Sequence, residues 1–265
     1  GAAADSILTI DDLLITPNIA IAGALNPTNS GSLLGFYNGA TDFQPTQTSP
    51  NPINQTARCE GASCGVFAED DFTAGEIVDT SLAVGRGDNA ASGNALQGDL
   101  IASTRASASA PNTGDSGQGF STIGVTVNFT TGESAGGTID IGFDYSYYVF
   151  SAADGVTNGS NLASASFSWV VTLQEEVAPG VLVLVDSASF TLSVSEDGDG
   201  VSASSGSDSL FFSFDLDGEK TYRFTIAHTS LANASVVPEP GVLALMGIGL
   251  LGLGAAGRRR RRTTS

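Results

Sequence analysis

The sequence predicts an all-β protein: an antiparallel β-sandwich of jelly-roll type over residues 5–232, followed by a single C-terminal transmembrane helix. Apolar and polar side chains alternate over several short segments, as they do in strands with one buried face. No segment before residue 241 keeps apolar residues at helical spacing. Gly, Asn and Asp separate the alternating segments and favour turns. A stretch of this size fits one all-β domain, and a solenoid or β-helix is the second choice.

The first half of the domain carries the weaker strand patterns. Strands are predicted at Ile7–Ile15, Ile77–Val84 and Ile123–Phe129, which are rich in β-branched residues. The stretch 90–110 is too rich in Ala and Ser to assign. Residues 38–65 are rich in proline and predict a long surface loop.

The second half alternates more regularly. One run, ending near Ser151, and a second run later in the chain each place a set of apolar side chains on a single face. The first set is Ile139, Ile141, Phe143, Tyr145, Tyr147 and Val149, and the second is Phe167, Trp169, Val171 and Leu173. Val181–Val185 and Ser189–Val194 predict two further short strands, the latter with Phe190, Leu192 and Val194 inward.

A hairpin is predicted to close the domain. Alternating apolar residues run from Leu210 to Leu216 and again from Tyr222 to Ile226. Asp217-Gly218 between them supplies a turn that tolerates positive φ. The residues after the hairpin, through residue 240, are then expected to form a brief tether.

Cys59 and Cys64 are the chain's two cysteines. An even count at close spacing in an exported chain predicts a disulfide that closes a small loop. Two thiols without a neighbouring histidine are a poor zinc site, because tetrahedral zinc takes four ligands.

The chain is acidic, with a formal net charge of −18. Without the C-terminal arginines, five basic residues face 28 acidic ones, which leaves −23 for residues 1–257. This excess argues against binding to nucleic acid or to anionic lipid. Calcium is the cation that an extracellular acidic surface would meet, and Asp197 and Asp199, flanking Gly198, are the predicted ligands. The alternatives are a solvated turn here and, for the whole surface, acidity that only maintains solubility.

Catalysis is not predicted. The one histidine, His228, is interpreted as a surface or strand-edge residue, and no nucleophile and base can be paired with it. Carboxylate pairs of a glycosidase cannot be identified from spacing alone, because the fold sets their separation. Tyr145, Tyr147 and Trp169 suit a core better than a sugar-stacking platform, whereas Tyr148 points to the opposite face.

The C-terminal segment has three parts in a fixed order. Pro238 and Pro240 favour extended, exposed backbone over residues 236–240. Gly241–Gly257 carries no charge and is just long enough to span a bilayer. Five consecutive arginines, Arg258, Arg259, Arg260, Arg261 and Arg262, then place the end of the chain in the cytoplasm.

This order resembles the PEP-CTERM sorting signal of Gram-negative bacteria. Its recognition element would be Val237, Pro238, Glu239 and Pro240. The resemblance implies a partner, an exosortase-type membrane protease that removes the helix, with transient anchoring in the inner membrane and release to the cell surface or matrix. A permanent single-pass anchor is the alternative and has the same topology.

Residues 1–4 resemble the remnant of a cleaved signal peptide, since Ala2–Ala4 provide a small-x-small site before Asp5. The expected division is therefore a domain over 5–232, a tether over 233–240, a helix over 241–257 and a tail over 258–265. The expected function is structural or adhesive at the cell surface or in a biofilm matrix, with polysaccharide or another copy of the chain as partner. The rivals are a carbohydrate-binding or ice-binding module, which needs an exposed flat row of aromatics or threonines, and a secreted hydrolase.

Overall fold

The computed structural model describes residues 1–73, 79–132, 136–154 and 159–238. The predicted transmembrane helix at 241–257, the arginines at 258–262 and the Glu239-Pro240 pair lie outside these residues. Within the described ranges the one helical segment is a 3-10 helix, Cys64–Val66. No helix in this part of the chain is long and apolar enough to cross a membrane.

Twelve strands form the rest of the described fold. They are β1 (Ala2–Asn18), β2 (Asn26–Tyr37), β3 (Ala40–Ser49), β4 (Asn54–Glu60), β5 (Val84–Ser92), β6 (Leu100–Ala110), β7 (Ser116–Thr130), β8 (Gly137–Ala153), β9 (Gly159–Ala178), β10 (Val181–Asp197), β11 (Gly200–Leu216) and β12 (Thr221–Pro238). The predicted all-β class is confirmed for these residues.

The strands build two six-stranded sheets that pack face to face as a sandwich. Sheet A has the order β11-β8-β1-β6-β5-β4, and sheet B has the order β10-β9-β12-β7-β2-β3. Every pair of neighbouring strands is antiparallel. Strands β10 and β11 therefore form one side of the sandwich, and β3 and β4 form the other.

The core lies between the two sheets and contains the side chains that the alternation predicted. The predicted inward faces of β8 and β9 are buried or packed against the core, including Tyr147. Their rings meet edge to face, with Trp169 5.7 Å from Phe143 and 6.0 Å from Tyr145 between ring centroids. Burying each large apolar side chain stabilises the fold by about 1.5–3 kcal/mol relative to exposing it.

A β-bulge shifts the register of β1 against both of its neighbours, β6 and β8. Its pairing with β8 shifts between Asp11 and Leu14, and Asp12 has φ 52°. The extra residue turns both Ile10 and Leu13 toward the core, where each is 1% exposed. Ala2–Ala4 at the start of the strand are fully buried, so the fold begins before the predicted boundary at residue 5.

The predicted loop over 38–65 is wrong for most of its length. Strands β3 and β4 lie there, and only the short connections between them are irregular. Pro45 sits in β3, an edge strand, where a missing N–H can face solvent. The region 90–110 contains the end of β5 and all of β6. The two sheets approach closely beside this region, since a Cβ on Gly87 of β5 would clash with the Phe120 carbonyl oxygen of the facing sheet. The small residues of 90–110 fit such a close approach.

The predicted closing hairpin is also wrong, although its strands and turn exist. Strand β11 pairs with β8 in sheet A, whereas β12 pairs with β7 and β9 in sheet B. The Asp217-Gly218 turn therefore connects the two sheets across the core. Similarly, the two short strands predicted within 181–194 are one strand, β10, with a register shift between Leu184 and Asp186.

Candidate functional site

The predicted sorting element begins at the end of a central strand. Strand β12 continues to Pro238 and pairs with β9 up to Gly159. The Val236 N–H donates to the Asp115 carbonyl oxygen at 3.0 Å, and the Val236 carbonyl accepts from Gly114 N–H at 2.7 Å. Val236 is 4% exposed and Val237 is 44% exposed.

The predicted tether over 233–240 is consequently wrong for residues 233–238. The alternation of β12 continues past Ile226, so Ala232, Ala234 and Val236 fill inward positions and hold this stretch in the sheet. Pro238 is the last described residue of the strand, and it has no N–H to donate to the ladder. The folded domain thus reaches the Pro-Glu-Pro element with no linker in between.

The predicted disulfide between Cys59 and Cys64 is confirmed. It joins β4 to the 3-10 helix and starts a segment, residues 61–73 and 79–83, that crosses the outer face of sheet A and that we call the strap. Phe67 and Leu82 of the strap pack against Ala3 and Phe150 of that face.

The strap covers a buried ionic cluster that the sequence did not predict. Asp5 of β1 and Arg105 of β6 form a two-pronged ion pair, with both N···O distances 3.1 Å. Ser107 donates to the Asp5 carboxylate at 2.7 Å. Arg86 and Asp88 of β5 form a second pair at 2.6 Å. These four charged side chains are at most 3% exposed and balance one another.

Strap backbone groups accept further hydrogen bonds from the two arginines of this cluster. Arg105 donates to the Asp71 carbonyl at 3.0 Å and Arg86 to the Ala68 carbonyl at 2.6 Å. The Phe67 ring lies 5.5 Å from the Arg86 guanidinium and 5.8 Å from that of Arg105. The cluster is therefore closed by the chain itself and fastens the strap to the sheet.

Burial is the largest cause of the pKa shifts of Asp5, Arg86 and Asp88. It raises the pKa of Asp88 to about 6, against the opposing effect of Arg86. Burial also raises the pKa of Asp5, although Arg105 and Ser107 act in the other direction. The pKa of the Arg86 guanidinium is lowered by burial.

His228 is not on the surface, and that prediction is wrong. It faces inward from the middle of β12 and is 2% exposed, because it occupies an even position in the same alternation as Ile226 and Ser230. Burial lowers its pKa to about 3, so the imidazole is neutral at ordinary pH. Tyr148, predicted to face away from the core, packs with Phe150 beneath the strap.

Asp197 and Asp199, the predicted calcium ligands, lie at the connection from β10 to β11, where Gly198 has φ 96°. Among the described residues, no group of three or more metal-binding side chains comes together there or elsewhere. The calcium interpretation stays a prediction. Asp11, Asp144 and Asp208 instead line an open surface depression of about 440 Å³ on sheet A, and their wide separation in sequence gave no means of predicting it.

The chain carries a PEP-CTERM protein-sorting motif, whose family profile matches residues 236–262. The match begins at Val236, inside β12, and continues past Pro238, the last described residue. No curated protein matches the chain.

Proposed function

We propose that this chain, which carries a PEP-CTERM sorting motif and is thereby marked for export, is a structural or adhesive protein of the cell surface or extracellular matrix. An exosortase-type protease would recognise the motif and release the domain from the inner membrane. The observation that carries this proposal is the position of the motif: its match starts at Val236, near the end of the last described strand, so a cut after Pro238 leaves all twelve described strands intact.

The position of the cut is limited by the hydrogen bonds at the end of β12. A peptide bond before Val236 lies in a stretch that pairs with β9 and is held by the two hydrogen bonds between Val236 and the Gly114–Asp115 turn. Cleavage there would require the strand end to unzip. Val237 and Pro238 also pair with β9, so a cut after Pro238 avoids this cost, and the released protein would end at or just beyond Pro238.

A structural role is supported by how the fold uses its reactive side chains. The one histidine is neutral and enclosed in the core. The ion pairs of Arg105 and Arg86 are closed by the strap. The carbohydrate-binding rival that relies on Tyr145 and Trp169 loses its platform, since both rings lie between the sheets.

The test uses cells with and without the sorting protease. Parent cells should release the domain, and cells lacking the protease should retain the full chain in the membrane fraction. Replacing the Pro238-Glu239-Pro240 triplet by alanines should cause the same retention, while the matched exposed substitution Lys220→Ala should leave release unchanged. Equal release from both strains would refute the proposal.

A further inference from the structure

The central part of the outer face of sheet B is an uncharged surface on a highly acidic protein. Strands β7, β9 and β12 contact their neighbours in the sheet and strands of sheet A, so within the described residues their outward side is open to solvent. The residues that face outward can be read in rows across the strands, because the register of each pair is known.

Two of these rows consist entirely of hydroxyl side chains. The first runs Thr28, Thr126, Thr225, Thr172, Ser187 across five strands. The second runs Thr122, Thr229, Ser168, Thr191 and ends on β2 at Ser32, which is only 7% exposed. Hydroxyls of neighbouring strands bond to one another, at 3.2 Å for Thr126 and Thr225 and 3.3 Å for Thr229 and Thr122. These contacts fix the orientation of the side chains before any ligand arrives.

An apolar strip lies beside the second hydroxyl row. It consists of Phe43, Leu34, Phe120 and Leu231. Each of these residues is the strand partner of the next, across β3, β2, β7 and β12. Phe43 is 56% exposed. Four strands at about 4.8 Å spacing give the strip a length of about 14 Å.

Amide and hydroxyl side chains border most of the strip on its other side. Gln118, Asn233 and Ser164 form that row, with Phe36 at its end. An apolar strip with donors and acceptors along both edges matches a sugar chain, whose rings have apolar C–H faces and rims of hydroxyl groups. None of the residues in these four rows is charged.

We propose that this face binds a neutral polysaccharide. A neutral chain meets no repulsion from a domain whose residues 1–257 carry −23, whereas an acidic polymer does. Two copies of the domain meeting on this face would repel each other, because each carries this negative charge. Ice is a poorer match than a single glycan chain, because neighbouring strands twist by about 20–25° and a crystal plane is flat.

This inference rests on the proposed function only in placing the domain among extracellular polysaccharides. The full-length chain in detergent is tested for retention on cellulose, chitin, mannan and dextran. The wild type should bind at least one of them, and Phe43→Ala and Thr229→Glu should each weaken that binding by at least about tenfold. Phe211→Ala is the matched control, since Phe211 is 68% exposed on sheet A, and it should bind as the wild type does.

Several outcomes would overturn the inference. These are no retention on any of the four polymers, equal loss in the control, or variants that change only self-association in analytical ultracentrifugation. Ice adsorption that disappears in Thr229→Glu without any polysaccharide binding would do the same. Circular dichroism of each variant separates lost binding from lost fold. Release of the variants from cells reports on sorting separately, so failure of either proposal can be told from failure of the other.

Discussion

Replacing His228 by leucine should change how acid affects the free energy of unfolding. Between pH 7 and pH 5 this free energy should fall in the wild type and rise in His228→Leu. The folded chain takes up the proton only near pH 3, whereas imidazole in the unfolded chain takes it up near pH 6.5. The unfolded state therefore binds more protons between these values, and the free energy of unfolding falls as pH falls. Between pH 7 and pH 5 this single group lowers it by about 2 kcal/mol.

Asp88 acts in the opposite direction over the same range. Its pKa in the fold is about 6, above the ordinary 3.8, so the folded state takes up the proton first. The free energy of unfolding then rises by about 1 kcal/mol from pH 7 to pH 5. The two buried groups partly offset each other in the wild type, which leaves a net fall of about 1 kcal/mol.

Urea unfolding of the wild type, His228→Leu and Asp88→Asn at pH 7 and pH 5 separates the two groups. The leucine variant should gain about 2 kcal/mol relative to the wild type on acidification, and the asparagine variant should lose about 1 kcal/mol. Leucine is close to histidine in size, and the His228 Nε2 makes no hydrogen bond within the described part of the chain. An identical pH dependence in wild type and His228→Leu would refute the reasoning.

Three further predictions concern the strap and the acidic turn. Cys59→Ser should lower the free energy of unfolding by about 2 kcal/mol through the lost loop closure, and the native wild type should not react with thiol reagents; labelling would contradict the disulfide. Arg105→Ala should cost about 3–5 kcal/mol in urea unfolding, since it leaves a buried carboxylate unpaired, while the exposed control Arg223→Ala should cost less than about 0.5 kcal/mol; equal costs would be inconsistent with the ionic cluster. If the turn at Asp197 binds calcium, chelator should lower the melting temperature of the wild type and leave Asp197→Asn unchanged, and no shift in the wild type would leave a plain solvated turn.

Local pattern predicted the strands better than their partners. The alternation of β8, β9, β11 and β12 identified their buried faces, because period 2 is a property of the strand alone. It could not say that β11 and β12 lie in different sheets, since facing strands of a sandwich both point their apolar side chains to the same core. A hairpin and a connection between sheets differ only in which strands pair, and that pairing involves residues far apart in sequence.

The buried charges show a second limit of the sequence. Asp5 lies in an alanine-rich start and Arg105 in an Ala/Ser-rich run, and neither neighbourhood predicts a core. Both are buried because the strap covers the outer face of sheet A, and its position depends on contacts remote in sequence. The same applies to His228, whose burial results from β12 continuing to Pro238 rather than ending near Ile226.

The sorting element was predicted because its chemistry is local: prolines, an uncharged segment and arginines occur in a fixed order. The hydroxyl rows on sheet B were not predicted, because each row takes one residue from each of five strands.

Intact mass spectrometry of the protein released into the medium tests the central claim most directly, in cells with and without the exosortase-type protease. The released chain should end within residues 237–240, at or just beyond Pro238, and only in cells that contain the protease. Extracellular molecules that still carry Arg258–Arg262 would contradict processing at this site.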